Sequence, residues 1–222
     1  MCGRYALYSS PEHLAKYFEA SLQYRYGKSY NIAPTATIAV LIQLEQERLI
    51  VPMRWGLIPA WHKEGSKLTV LNNAKIETIE SRPSFRSAFK RRRCMILADG
   101  FYEWDASLKP KQPHYFHRKD SHPVALAGIW ERWVSGENAV DSCCIITEDA
   151  NAIVSKVHDR MPAIIKPDDV NAWLDPELQE TEQIKKLASK RGAYEGIVEY
   201  PVTSKMNRVA YDNAHCIERI TK

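Results

Sequence analysis

The chain has 222 residues, 45% of them hydrophobic and 26% charged, with a net charge of +4. This is enough chain to bury a core, and the composition is that of an ordinary folded protein, which excludes disordered and fibrous classes. No apolar run approaches the ~20 residues of a membrane span. The N-terminal Met1-Cys2-Gly3-Arg4-Tyr5 also lacks the apolar core of a signal peptide, so a cytoplasmic protein is expected. The five cysteines (Cys2, Cys94, Cys143, Cys144 and Cys216) are odd in number and contain no C-x-x-C pair, which argues against a disulfide framework or zinc finger.

In chain order, Ser9-Ser10-Pro11-Glu12 has capping-box spacing and starts a short helix through Leu14, Ala15 and Phe18. Thr37–Ile42 and Leu49–Val51 read as strands joined by a turn over Gln43–Glu47. Glu77–Phe89 reads as a helix interrupted near Pro83. It leads to a strand Cys94–Leu97, an Asp99-Gly100 hairpin turn, and a second strand Phe101–Trp104. Arg82, Arg86 and Lys90 to Arg93 crowd this region, as a solvated helix face or as a phosphate-binding surface. Further strands are expected at His114–His117, Val124–Trp130 and Ser142–Ile146, and helices at Ala150–Ser155, Pro167–Leu174 and Pro176–Lys190. Pro201-Val202 closes a last strand. Cys94, Cys143 and Cys144 fall among apolar residues and read as buried. Hairpins mixed with separate helices favour an α+β fold with a largely antiparallel sheet, in one domain over residues 1–222.

Cys2 carries a distinctive chemical option. If Met1 is removed, a primary amine and a thiol stand on adjacent carbons. The amine can form an imine with an aldehyde, and the thiol can close on the imine carbon to give a five-membered thiazolidine. Ordinary values near ~7.7–8.0 for the amine and ~8.5 for the thiol leave both nucleophiles available at neutral pH.

Met1–Tyr5 resembles the N-terminus of the SRAP family (SOS response-associated peptidase domain proteins). Asn31-Ile32-Ala33-Pro34, Trp55–Pro59, Asn73–Thr78, Ala98–Trp104 and His158–Pro162 agree with that family in order, so the resemblance covers a core of about residues 2–213. It implies an α+β fold around a strongly bent, barrel-like, mainly antiparallel sheet flanked by short helices. It also implies action on abasic sites in single-stranded DNA, with a covalent link through Cys2 and associated lyase chemistry, in the DNA damage response. Asn73, Glu103 and His158 match the remaining active-site positions. Glu103, between Tyr102 and Trp104, is expected to have a raised pKa and to relay protons. His158 suits protonation of the sugar ring oxygen. Asn73 can donate and accept hydrogen bonds at once.

For DNA binding, Arg4 and Arg160 are expected on phosphates. Lys75 replaces the arginine commoner in the family, keeping the charge but losing the fork. Pro34, Ile58 and Trp61 could form an apolar wedge that unstacks bases, although Trp61 serves equally well as a core residue. His114 and His117 have no partners spaced for a ligand set, and no glycine-rich phosphate loop is present; no metal and no cofactor are expected. The expected partner is single-stranded DNA containing abasic sites, bound by a monomer that joins the nucleoid through its DNA. Two other readings compete: a thiol autoprotease or peptidase with Cys2 as nucleophile, His158 as base and Asn73 or Glu103 as orienter, and a non-covalent reader of DNA.

Overall fold

The computed structural model describes residues 2–67, 69–188 and 196–220. Its elements are, in chain order, β1 (Arg4–Leu7), α1 (Pro11–Tyr17), β2 (Ser21–Leu22), β3 (Ser29–Ile32), β4 (Thr37–Leu44), β5 (Glu47–Trp55) and β6 (Asn73–Lys75). There follow α2 (Arg86–Arg91), β7 (Arg93–Ala98), β8 (Gly100–Asp105), β9 (Gln112–Arg118), β10 (Val124–Ser135) and β11 (Asn138–Asp149). The remainder is β12 (Arg160–Pro162), β13 (Ile164–Ile165), α3 (Val170–Leu174), α4 (Thr181–Ala188) and β14 (Ile197–Pro201).

Strands β11, β10, β7, β4 and β5 pair in succession, and a parallel pairing of β5 with β11 closes them into a five-stranded barrel. A second, antiparallel sheet has the order β14-β9-β8-β1-β3. The fold is therefore α+β with a barrel-like, mainly antiparallel sheet. Period-two alternation gives the second sheet two different faces. Tyr5, Leu7, Phe101 and Phe116 join the large core shared with the barrel. Ala6, Tyr102 and Tyr115 point the other way, into a smaller cluster with Val202, Met206 and Cys216. All five cysteines are buried, Cys94, Cys143 and Cys144 within barrel strands.

The strand positions read from the sequence are present, most of them longer than expected. Several local readings are corrected. The Asp99-Gly100 corner is not a hairpin: β7 pairs with β4 and β10, whereas β8 pairs with β1 and β9. The corner passes the chain from barrel to second sheet. Asp99 accepts the amides of Tyr8 and Ser9 at 2.6 and 2.7 Å, and the Ser9 hydroxyl at 2.5 Å. That engagement also explains why Ser10, not Ser9, caps α1, through His13 N–H. The Glu77–Phe89 helix shrinks to α2 preceded by turns, because no side chain caps it and Pro83 removes a donor. Of the expected helix at Ala150–Ser155 only a 3-10 turn at Val154–Lys156 forms, while Pro176–Lys190 contracts to α4, with its last two residues outside those described. Arg93 leaves the basic surface: it is buried and donates to the carbonyls of Phe89, Lys90 and Trp173.

Gly100 sits where a Cβ would lie 2.5 Å from both the Phe116 carbonyl oxygen and the Tyr115 ring. The first neighbour is backbone and cannot rotate away. Gly100→Ala is therefore expected to destabilise the fold by roughly 3 kcal/mol or more, read as a fall in the urea midpoint at unchanged slope.

Candidate active site

The site forms where β1 and β8, interior strands of the second sheet, meet β6 and the turn before β12, the two segments that flank β11. In β8, Glu103 takes the same face as Phe101, the face that alternation turns toward the shared core. It is 1% exposed. In β1 the register Arg4↔Tyr102 and Tyr5↔Phe101 carries the preceding residues alongside Glu103, and Cys2 is fully buried there. Parallel pairing of β6 with β11 (Asn73↔Ile145) brings in Asn73, whose Nδ2 donates to the Cys2 carbonyl at 2.9 Å. Among the described residues, the buried Asn73 Oδ1 has no hydrogen-bond partner. His158 stands just before β12, with Nε2 3.9 Å from Glu103 Oε2. Sequence positions 2, 73, 103 and 158 thus converge.

The electrostatics follow from burial. Burial lifts the Glu103 carboxyl from 4.5 to about 7, with a smaller contribution from the charge of Asp159. Burial, and then the charge of Glu103, push the Cys2 thiol well above its ordinary value. Burial lowers the His158 pKa, favouring neutral imidazole. His158 Nδ1 lies 2.9 Å from both the Arg160 amide and Asp159 Oδ1. The first contact requires a lone pair on Nδ1 and the second a proton, so both cannot operate together. The Arg160 amide is fixed in a strand, while the Asp159 side chain is 85% exposed and solvated. We therefore assign the lone pair to Nδ1 and the proton to Nε2, on the side of Glu103.

The expected DNA-binding residues are placed differently from one another. Arg4 donates to Asn31 Oδ1 at 2.8 Å and to the carbonyls of Met206 and Asn207 at 3.1 and 3.3 Å. Lys75 is exposed at the end of β6. Arg160 is buried, donating to both carboxylate oxygens of Glu77 (2.7 and 3.0 Å), to Asp149 (2.6 Å) and to the Thr147 carbonyl (2.8 Å). A phosphate would have to displace one of these carboxylates. Pro34 is half-buried on a cavity of about 440 Å³ shared with Tyr24, Tyr26 and Thr35. Ile58 is buried, its amide donating to Ser142 Oγ at 2.8 Å. Trp61 is 64% exposed, which removes the core alternative for that residue. The sequence reading missed Glu77, Asp149 and Asn31 as partners of the two arginines; Glu77 does lie inside the Asn73–Thr78 block.

Residues 1–209 match the family described as SOS response associated peptidase (SRAP). The chain is 33% identical to the abasic site processing protein YoqW of Bacillus subtilis, over 98% of this chain and 99% of YoqW. It is 34% identical to the abasic site processing protein HMCES of Gallus gallus, over 87% of this chain and 66% of HMCES. A crystal structure of a protein from Bacteroides thetaiotaomicron superposes with a TM-score of 0.89 at 23% identity, covering 99% of this chain and 100% of that one. At that identity the likeness concerns the fold.

The raised Glu103 pKa has a sign that can be checked. A folded-state pKa above the unfolded one contributes stability that is present below about 4.5 and lost as pH rises through about 7. Glu103→Gln, which cannot ionise, is therefore expected to gain stability relative to the native chain between pH 5 and pH 8, on the order of 2 kcal/mol. Paired denaturation curves at the two pH values measure it.

Proposed function

The chain belongs to the SRAP family, and from that membership we propose that it captures the aldehyde of abasic sites in single-stranded DNA through Cys2. The observation that carries this reading is the burial of Cys2 between Asn73, bonded to its carbonyl, and a carboxyl held near pH 7. YoqW and HMCES bear the name abasic site processing protein, which supports DNA containing abasic sites as the substrate.

After removal of Met1, the backbone nitrogen of Cys2 is a primary amine. An abasic deoxyribose exposes its aldehyde only when the ring opens. His158 Nε2–H hydrogen-bonds the ring oxygen, Glu103, near half-protonated at neutral pH, supplies the proton, and the anomeric hydroxyl returns one to Glu103 as the carbonyl forms. The amine nitrogen attacks the aldehyde carbon and passes one proton to the carbonyl oxygen. The carbinolamine then loses its hydroxyl as water as Glu103 protonates it, and the remaining N–H proton returns to Glu103, leaving an imine. The thiol then adds across that C=N bond, sulfur to carbon and proton to nitrogen, closing the thiazolidine. No oxidant or reductant is consumed. The same imine opens a β-elimination route, the basis for a slower lyase activity. Asn73 holds the Cys2 residue in line through its carbonyl. Arg4 and Lys75 hold phosphates, and the exposed Trp61 with the half-buried Pro34 lies against flanking bases, whereas Ile58 is buried and takes no part in the wedge. One DNA-bound monomer suffices for every step.

The peptidase reading requires a thiolate nucleophile from the outset. The Cys2 thiol is instead pushed up by burial and by Glu103, and it donates to the Arg4 carbonyl at 3.8 Å. A protonated thiol suits the late addition step better than a first attack on an amide.

Incubation with an oligonucleotide holding one abasic site is expected to give a heat-stable shifted band. Cys2→Ala abolishes it, and Cys2→Ser leaves only an imine that borohydride traps. Capture should be faster on single strands than on continuous duplex, where the wedge would have to break pairs, and should slow with salt. A heat-stable band from Cys2→Ala, or faster capture on duplex, contradicts the proposal.

A further inference from the structure

We propose that Glu77 is a positioning residue for capture: through Arg160 it bridges the segment that carries Asn73 to the turn that carries His158, and so fixes the His158 ring against Glu103. This rests on the function proposed above, and Glu77 acts through Arg160 without touching the reacting atoms.

The bridge crosses β11. Thr147 pairs with Lys75 of β6 and with Pro162 of β12, so these two short strands occupy opposite edges of β11. Each spans only three residues, too few for ladder hydrogen bonds alone to hold it firmly. The Arg160 side chain starts on β12, reaches the Thr147 carbonyl in passing, and meets Glu77 just beyond β6. Both Glu77 oxygens engage the guanidinium, at 2.7 and 3.0 Å, the fork geometry that sets orientation as well as distance. Asp149 takes the same Nη1 at 2.6 Å and anchors the fork to β11 itself. Burial disfavours the ionised Glu77, yet the hydrogen bonds and charge of Arg160 outweigh it and hold the carboxyl below its ordinary value, so the pair is ionic at neutral pH.

The link to chemistry is the Arg160 main chain. Its amide donates to His158 Nδ1 at 2.9 Å, placing the remaining proton on Nε2 toward Glu103. If the fork is lost, Arg160 keeps its contacts to Asp149 and the Thr147 carbonyl on β11 but loses its tie to the β6 segment, which loosens its orientation and lets the ring turn toward Asp159. Displacements of this kind, about 1 Å, cost roughly a hundredfold in rate.

The test uses Glu77→Gln, near-isosteric but uncharged, and Glu77→Asp, which keeps the charge. Three quantities are measured: the ¹⁵N shifts of the His158 ring, assigned with His158→Ala; the capture rate at saturating abasic single strand; and affinity, with its salt slope, for a lesion-free strand of equal length. The native chain should show a single Nε2–H tautomer. Glu77→Gln should show a tautomer mixture and capture about ten- to a hundredfold slower, with affinity and salt slope unchanged, and Glu77→Asp should lie between them. An unaltered His158 tautomer and saturated rate in Glu77→Gln would overturn the proposal. So would a salt slope reduced by about 0.7 in Arg160→Gln, since Arg160 would then be a phosphate contact rather than a bridge. Absence of capture by the native chain counts against the proposed function, and the His158 ring shifts still decide whether Glu77 positions that side chain.

Discussion

Between Ser142 and Thr147, β11 is hydrogen-bonded along both of its edges. One edge meets β10 and then β12; the other meets β5 and then β6. A strand used on both sides has a locked register, because a one-residue slip would invert every side chain it presents and misplace every partner. The barrel closes through its contact with β5, Asn73 arrives through β6, and the His158 turn is anchored through β12. Ser142 and Thr147, both fully buried on this strand, sit among apolar neighbours such as Cys143, Cys144 and Ile146.

The second requirement is a polar group in an apolar position. Alternation in β8 gives Glu103 a core-facing place that would ordinarily hold a residue like Phe101. Burial of a carboxylate is unfavourable, and the fold meets that cost by keeping the group partly protonated at neutral pH. The same low-polarity surroundings hold the Cys2 thiol protonated and His158 neutral. The site is therefore poised to shuttle protons rather than to store a strong nucleophilic anion. That balance suits an amine that attacks first and a thiol that closes later.

Much of the strand pattern was legible in the sequence, since runs such as Thr37–Ile42 and Cys94–Leu97 carry β-branched or apolar residues bounded by turns. What local signals could not reveal is which sheet a strand joins. Asp99-Gly100 announces a sharp change of direction, but only tertiary pairing decides that it is a corner between two sheets. The Glu77–Phe89 stretch shows the opposite failure: it reads as a helix interrupted near Pro83, while the missing cap and Pro83 restrict it to α2. For the site, Cys2 was singled out by chemistry alone, whereas Asn73, Glu103 and His158 were joined to it by family resemblance; no spacing rule connects four segments this far apart. Arg160 illustrates the limit. An isolated arginine suggests an anion contact, and its carboxylate partners lie 11 and 83 residues away in the chain.

The account rests on both nucleophiles of one residue reacting with one aldehyde carbon. Intact-mass measurement of the product with an abasic oligonucleotide, followed by sequencing of the N-terminal peptide, tests this most directly. The predicted product lacks Met1, equals protein plus DNA minus a single water, and carries its modification on Cys2 with no free thiol at that residue. A product that retains Met1, or one attached elsewhere while Cys2 still alkylates as a free thiol, would contradict it.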